Sequence, residues 1–133
     1  MIDYESPLKS ESKMDYGDRP RTELIGLIRE TPGQILEVGC SSGATGMAIK
    51  QKFPDVKYIG IDSDKESAEI AQTRLDEVIV TDIDKVQLNT LGFKKESFDL
   101  IICADILEHL YDPWKMLFDL RDYLTPDGRI IAS

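Results

Sequence analysis

Five short apolar runs punctuate the chain: QILEVG (34–39), VKYIGID (56–62), VIVTD (78–82), SFDLIICAD (97–105) and RIIAS (129–133). They are short and rich in β-branched residues, which predicts strands. The stretches between them carry other signals. ATGMAIKQKF places Ala44, Met47, Ala48 and Phe53 at helical spacing. SDKESAEIAQTRL opens with Ser63 and has Glu66 three residues on, a capping-box pattern, with Ala68, Ala71 and Leu75 on its inner face. DPWKMLFDLRDYL offers Asp112 as an N-cap, Pro113 in the first turn, and a stripe of Leu117, Leu120 and Leu124. A further helix is expected upstream over RPRTELIGLIRE, with Leu24, Ile25, Leu27 and Ile28 on one face and TPG ending it. Residues 83–95 leave room for a short helix near Lys85–Thr90.

Strands that alternate with helices build a parallel sheet wound on both faces, because right-handed crossovers deposit helices on each side. The fourth run, apolar throughout its interior, suits a central strand covered on both faces. The expected fold class is therefore α/β, doubly wound and mostly parallel. Residues 1–18 are polar and lack a sustained apolar period, so they are read as a flexible arm before a domain over residues 19–133. The fifth strand has no covering helix after it. The expectation is a chain cut from a larger protein rather than a naturally short domain, and the uncovered fifth strand could pair with its equivalent in a second copy as a homodimer.

At 133 residues the chain has the size of one domain with one core. Acidic residues outnumber basic ones 25 to 16 and the net charge is −9, which argues against sequence-independent binding of nucleic acid. No apolar run approaches the roughly 20 residues a membrane span needs. The polar, acidic start is unlike a signal peptide, so a cytoplasmic location is expected. Cys40 and Cys103 lack metal-type spacing and are expected as buried or half-buried free thiols. The lone His109 excludes a site built on several histidines, and no metal is expected.

The glycine turn after the first strand narrows the ligand. A dinucleotide fingerprint needs glycine at its first, third and sixth positions, the third so that backbone can approach a pyrophosphate. Counting from Gly39, the third position is Ser41 and the sixth is Ala44. A P-loop is excluded as well, because no G-K-[ST] follows. Acids stand at the ends of neighbouring strands instead. Asp62 can accept from ribose hydroxyls, Asp82 can accept from an adenine amino group, and Glu37 can orient the loop or meet a cation. Three carboxylates make a poor phosphate site and a good site for a cationic, phosphate-free adenosine.

ILEVGCSSG, YIGIDSD, VIVTDI, SFDLIICADILEHLYDP and YLTPDGRIIAS resemble, in order, the successive motifs of class I S-adenosylmethionine-dependent methyltransferases. The resemblance covers residues 20–133 and implies a Rossmann-like sheet and S-adenosyl-L-methionine as cofactor. It further implies that Glu37, Gly39, Cys40, Ser41 and Gly43 surround the methionine part of the cofactor. Asp62 would bind the ribose, with Ser63 beside it. Asp82 and the backbone of Ile83 would hold the adenine, and Ala104 and Asp105 would lie beside the methyl donor. Two departures stand out: Ser41 replaces a frequent middle glycine, and TPDG stands where PGG is common.

For a hydroxyl acceptor a general base helps. Asp105, Glu108 and His109 are the candidates in ADILEHL, and His109 has the ordinary pKa nearest neutrality. RP…LIGLI, VIVTDID and ADILEHLYDPWKML together resemble, more loosely, methyltransferase domains of bacterial surface-polysaccharide biosynthesis, which implies a sugar hydroxyl as acceptor and fusion to other catalytic modules. The expected function is methyl transfer to a small-molecule or carbohydrate acceptor. The alternatives are a cofactor-binding module without its own catalysis and, disfavoured by Ser41, an NAD-dependent oxidoreductase.

Overall fold

A computed structural model describes residues 18–133. The arm expected over residues 1–18 lies outside the described residues except for Asp18. The elements run α1 (Thr22–Ile25), β1 (Gln34–Val38), α2 (Ala44–Lys52), β2 (Lys57–Asp62), α3 (Lys65–Ala71), β3 (Glu77–Val80), β4 (Phe98–Cys103), α4 (Pro113–Leu120) and β5 (Leu124–Ala132). Single 3₁₀ turns at Leu88–Thr90, Leu107–His109 and Arg121–Tyr123 fill the longer connections. The strands form one sheet in the order β3-β2-β1-β4-β5, and all four pairings are parallel. The doubly wound parallel sheet expected from the alternation is thus observed.

Each central strand divides its side chains between two buried layers, as the two-residue period of a pleated strand requires. Ile35, Tyr58, Leu100, Ile102 and Ile131 pack on one face with Leu24, Ile28, Ile49, Ala71 and Leu75. Leu36, Val38, Ile59, Ile61, Phe98, Ile101 and Cys103 pack on the other with Leu88, Leu120 and Tyr123. Helices α1 to α3 therefore cover the first face and α4 covers the second.

Several helix details differ from the expectation. α1 stops at Ile25, and the chain continues through i→i+3 turn bonds from Leu27 to Leu24 and from Ile28 to Ile25. That tightening delivers Leu24 and Ile28 to the core and leaves Leu27 about half exposed. In α2 the inward residues are Ala44, Thr45, Gly46 and Ile49, while Met47 faces out. The cap of α3 is Asp64 rather than Ser63: its carboxylate accepts the Ser67 backbone N–H at 3.1 Å and the Ser67 hydroxyl at 2.6 Å. α4 begins as expected, with Asp112 accepting the Lys115 N–H at 3.0 Å. It ends at Leu120, so Leu124 belongs to the next strand. TPDG does not precede β5 but bulges within it, between the pairings Phe98↔Leu124 and Leu100↔Arg129.

Candidate functional site

The strand order reverses direction between β1 and β4, whose following connections leave on opposite faces of the sheet. In open α/β sheets ligands bind in the crevice at the carboxyl ends of such strands. A cavity of about 460 Å³ lies there, lined by Arg19, Arg21, Glu37, Gly39, Cys40, Ser41, Thr45, Asp62, Ala104, Asp105 and Ile106.

The floor is the loop from Gly39 to Gly43. The amides of Gly39 and Cys40 both donate to the Ile61 carbonyl, at 2.7 and 2.9 Å. The Ser41 amide donates to Asp62 Oδ1 at 3.0 Å, and the Asp64 amide donates to Asp62 Oδ2 at 2.9 Å. Asp62 thus ties the glycine loop to the end of β2 through both carboxylate oxygens. Gly39 has φ +79°, and a Cβ there would come within 3.3 Å of the Ile106 side chain. Ser41 also has positive φ, as does Asp105 just past β4. Non-glycine residues held in this region cluster at functional sites.

Glu37 is the buried acid of the site. It is 3% exposed, and the Tyr58 hydroxyl donates to its Oε1 at 2.7 Å. Burial pushes the Glu37 carboxyl up to about 8; the Tyr58 hydrogen bond opposes the rise, the charge of Asp62 adds to it, and Arg21 opposes it. Burial likewise raises Cys103 to about 12 and Cys40 further. Both cysteines are free, buried thiols, as expected, and neither is poised as a thiolate nucleophile.

Arg21 closes the rim. Its backbone amide donates to Thr45 Oγ1 at 2.9 Å, and its guanidinium pairs with Asp105 and with Glu23. Asp18 anchors the same segment by pairing with Arg74 and by accepting the Ser42 hydroxyl at 3.2 Å. Asp18 is held below the usual carboxylate range, chiefly by the hydrogen bond from Arg74.

Of the residues singled out in the sequence, Glu37, Gly39, Cys40, Ser41, Asp62, Ala104 and Asp105 line this one cavity. Gly43 sits behind the loop as the N-cap of α2, against Ala71 and Leu75. Ser63 is exposed just beyond Asp62. Asp82 is exposed and accepts the Asp84 amide at 3.0 Å, and Ile83 is buried in the second core layer. His109 stands outside the lining, its side chain 71% exposed and its Nε2 3.7 Å from Glu108. Arg19, Arg21, Thr45, Tyr58 and Ile106 were not flagged by sequence reasoning. They join the site only through the fold, and no local motif marks them. Among the described residues no group of His, Cys, Asp and Glu is arranged to hold a metal ion.

A family described as "Methyltransferase domain" matches residues 36–130, which is most of the chain. The chain belongs to this methyltransferase family. It is 31% identical over 106 residues to the ubiquinone biosynthesis O-methyltransferase of Haemophilus ducreyi, covering 75% of this chain and 44% of that protein. It is also 31% identical over 114 residues to the demethylmenaquinone methyltransferase of Thermotoga maritima, covering 84% of this chain and 48% of that protein. The methyltransferase domain described here therefore spans less than half the length of these two relatives. Among solved structures, the plantazolicin methyltransferase BpumL in complex with SAH superposes with a TM-score of 0.72 at 23% identity, covering 96% of this chain and 53% of that one. That likeness bears on the fold of the methyltransferase domain.

Proposed function

We propose that the cavity at the β1–β4 crevice binds S-adenosyl-L-methionine and that the protein transfers the methyl group to a small-molecule acceptor. The observation that carries this reading is the donor set of one cavity in a methyltransferase domain: Glu37, Asp62 and Asp105 around a glycine loop with Ser41 at its centre. The residues fit such a ligand. A Cβ at Gly39 would crowd Ile106 across the crevice, and the acids oppose a pyrophosphate while favouring a cation.

Glu37, Gly39, Cys40, Ser41 and Gly43 are assigned to the methionine part, Asp62 and Ser63 to the ribose. Asp82 and the Ile83 backbone are assigned to the adenine, and Ala104 to the wall beside the sulfur. The bound cofactor supplies an already activated methyl group on a sulfonium. What remains for the protein is alignment of the nucleophile and exclusion of water. Asp105 lies on the rim and can take a proton from a hydroxyl acceptor once Arg21 releases it. It is better placed for that than His109, which lies outside the lining. The names of the relatives speak for a quinone-type acceptor; a sugar hydroxyl is the second class to test.

Binding without turnover is the second reading, favoured by the exposure of the rim, where the Asp105 side chain is 45% exposed. Calorimetry with S-adenosylmethionine, S-adenosylhomocysteine and NAD, followed by labelled-methyl transfer to quinone-type and sugar acceptors, separates the readings. Preference for NAD would overturn both. Cofactor binding with no transfer to any acceptor would support the second.

A further inference from the structure

Tyr58 brings a hydroxyl into the buried layer beneath the glycine loop. It is fully buried, and its hydroxyl donates to Glu37 Oε1 at 2.7 Å. The register explains the reach. Ile35 pairs with Tyr58 and Glu37 with Gly60, so the tyrosine is the diagonal neighbour of the glutamate on the same face of the sheet. Gly60, opposite Glu37, has no side chain, and Cys40 takes that space: a Cβ on Gly60 would lie 2.5 Å from Cys40 Sγ. Glu37 is therefore walled in on the sheet side and open toward the cavity it lines. Burial keeps the Tyr58 phenol protonated, so it is a donor and the carboxyl is the acceptor.

We propose that Tyr58 is a positioning residue for ligand recognition, fixing Glu37 so that its carboxyl releases a proton to solvent when the ammonium group of a bound amino-acid moiety arrives. The inference rests on the reading that the cavity takes S-adenosylmethionine. Several groups face Glu37 and set the balance. Tyr58 and Asp62 come from β2 and Arg21 from the segment before α1, and the neutral thiol of Cys40 in the glycine loop packs on the same face of the sheet. Arg19 and Asp105 line the same cavity. Without a ligand, burial and Asp62 favour the protonated acid over the opposing pull of Tyr58 and Arg21. A cation at the open side of the carboxyl reverses that preference, because an opposite charge within a few ångströms favours ionisation. Linkage then requires affinity to rise with pH up to about 8, the value to which burial pushes Glu37, and to fall again where the ligand's own ammonium loses its proton.

The probes are S-adenosylhomocysteine, which carries the amino-acid group, and 5′-methylthioadenosine, which lacks it. Binding is measured by calorimetry from pH 6 to 10, in buffers of different ionisation enthalpy, for the wild type, Tyr58→Phe and Glu37→Gln. In the wild type S-adenosylhomocysteine should release close to one proton at pH 7, its affinity rising about tenfold per pH unit up to about 8. The thioadenosine should release none. Tyr58→Phe should bind S-adenosylhomocysteine several-fold more weakly at pH 7, with the deficit narrowing as pH rises through about 8. Glu37→Gln should bind it weakly at every pH without proton release. Thioadenosine affinity should stay within twofold in both variants, which also reports that they fold. Equal proton release by the two probes, or a wild-type pH curve in Tyr58→Phe, overturns the proposal alone. Failure of the wild type to bind either probe overturns the cofactor reading and the proposal with it.

Discussion

The carboxylate of Asp62, at the last position of β2, holds the backbone of Ser41 in the loop after β1, with the amide 3.0 Å from Oδ1. The other oxygen holds the Asp64 amide at 2.9 Å. One side chain therefore fixes both the glycine loop and the entry to α3. In the proposed cofactor complex the outer lone pairs of the same oxygens would accept from the ribose hydroxyls. Asp62→Ala should weaken binding of S-adenosylhomocysteine by about 1–3 kcal/mol, the usual effect of losing charge-assisted hydrogen bonds. The thermal midpoint should fall as well, because the loop loses its tether. Unchanged affinity by calorimetry would show that the ribose is held elsewhere.

A second expectation concerns Gly60, in the middle of β2. The space beside it is filled by Cys40 and Leu75: an added Cβ would meet Cys40 Sγ at 2.5 Å and Leu75 Cδ1 at 2.9 Å. Cys40 cannot clear the space by turning its thiol, because its Cβ would also lie 2.8 Å from the added carbon, and both neighbours are buried. Overpacking of this kind typically costs about 1–3 kcal/mol. Gly60→Ala should lower stability by that amount in denaturant titrations and weaken ligand binding through displacement of Cys40. A wild-type unfolding midpoint would mean that the layer has slack.

How much of this was legible in the sequence follows from where each partner lies. The strands were legible because Ile35–Val38, Ile59–Ile61 and Leu100–Cys103 are apolar runs bounded by polar or glycine residues. Their parallel order followed from the helices between them. The acids at strand ends were legible in part: Glu37 and Asp62 line one cavity together with Asp105, whereas Asp82, the third strand-end acid, stands exposed outside its lining. Helix ends were less so. Ser63 and Asp64 are both good capping residues, and only the backbone path beyond Asp62 selects Asp64. Arg21 and Tyr58 were illegible: each meets its acid across the fold, Asp105 for one and Glu37 for the other. An arginine ahead of a short helix and an aromatic residue in a strand are common enough to carry no signal alone.

Arg21 offers a third expectation, in which two magnitudes separate. Its side chain is 31% exposed and its partners Asp105 and Glu23 are more so. Exposed ion pairs contribute about 0–1 kcal/mol to stability. Arg21→Ala should therefore shift the unfolding free energy by less than about 1 kcal/mol. Its effect on the rim should be larger, because the guanidinium bridges the segment before α1 to the connection after β4. Bound S-adenosylhomocysteine should dissociate several-fold faster, as read by stopped-flow displacement. An unchanged dissociation rate would show that the bridge does not retain the ligand.

The buried carboxyl of Glu37 gives the pH dependence of stability its sign. Its ordinary value is 4.5, and burial raises it to about 8 in the folded chain. Between those values the folded state binds more protons at Glu37 than the unfolded state does. Stability contributed by the protonated acid is therefore complete below about pH 4.5 and is lost as pH rises through about 8. The limiting slope is about 1.4 kcal/mol per pH unit, from one proton. Asp18, Glu23 and Asp76 are shifted downward and act in the opposite sense, but only toward the acid end, below their ordinary values. From pH 5 to 8 the Glu37 contribution should dominate, and the ligand-free chain should lose stability steadily across that range. Glu37→Gln keeps the shape and an acceptor for Tyr58 without a charge to bury. Its unfolding free energy should be nearly flat over the same window, so that the two curves diverge with rising pH and the variant is the more stable at pH 8. Parallel wild-type and variant curves in urea titrations would place the titration of Glu37 in the ordinary carboxylate range.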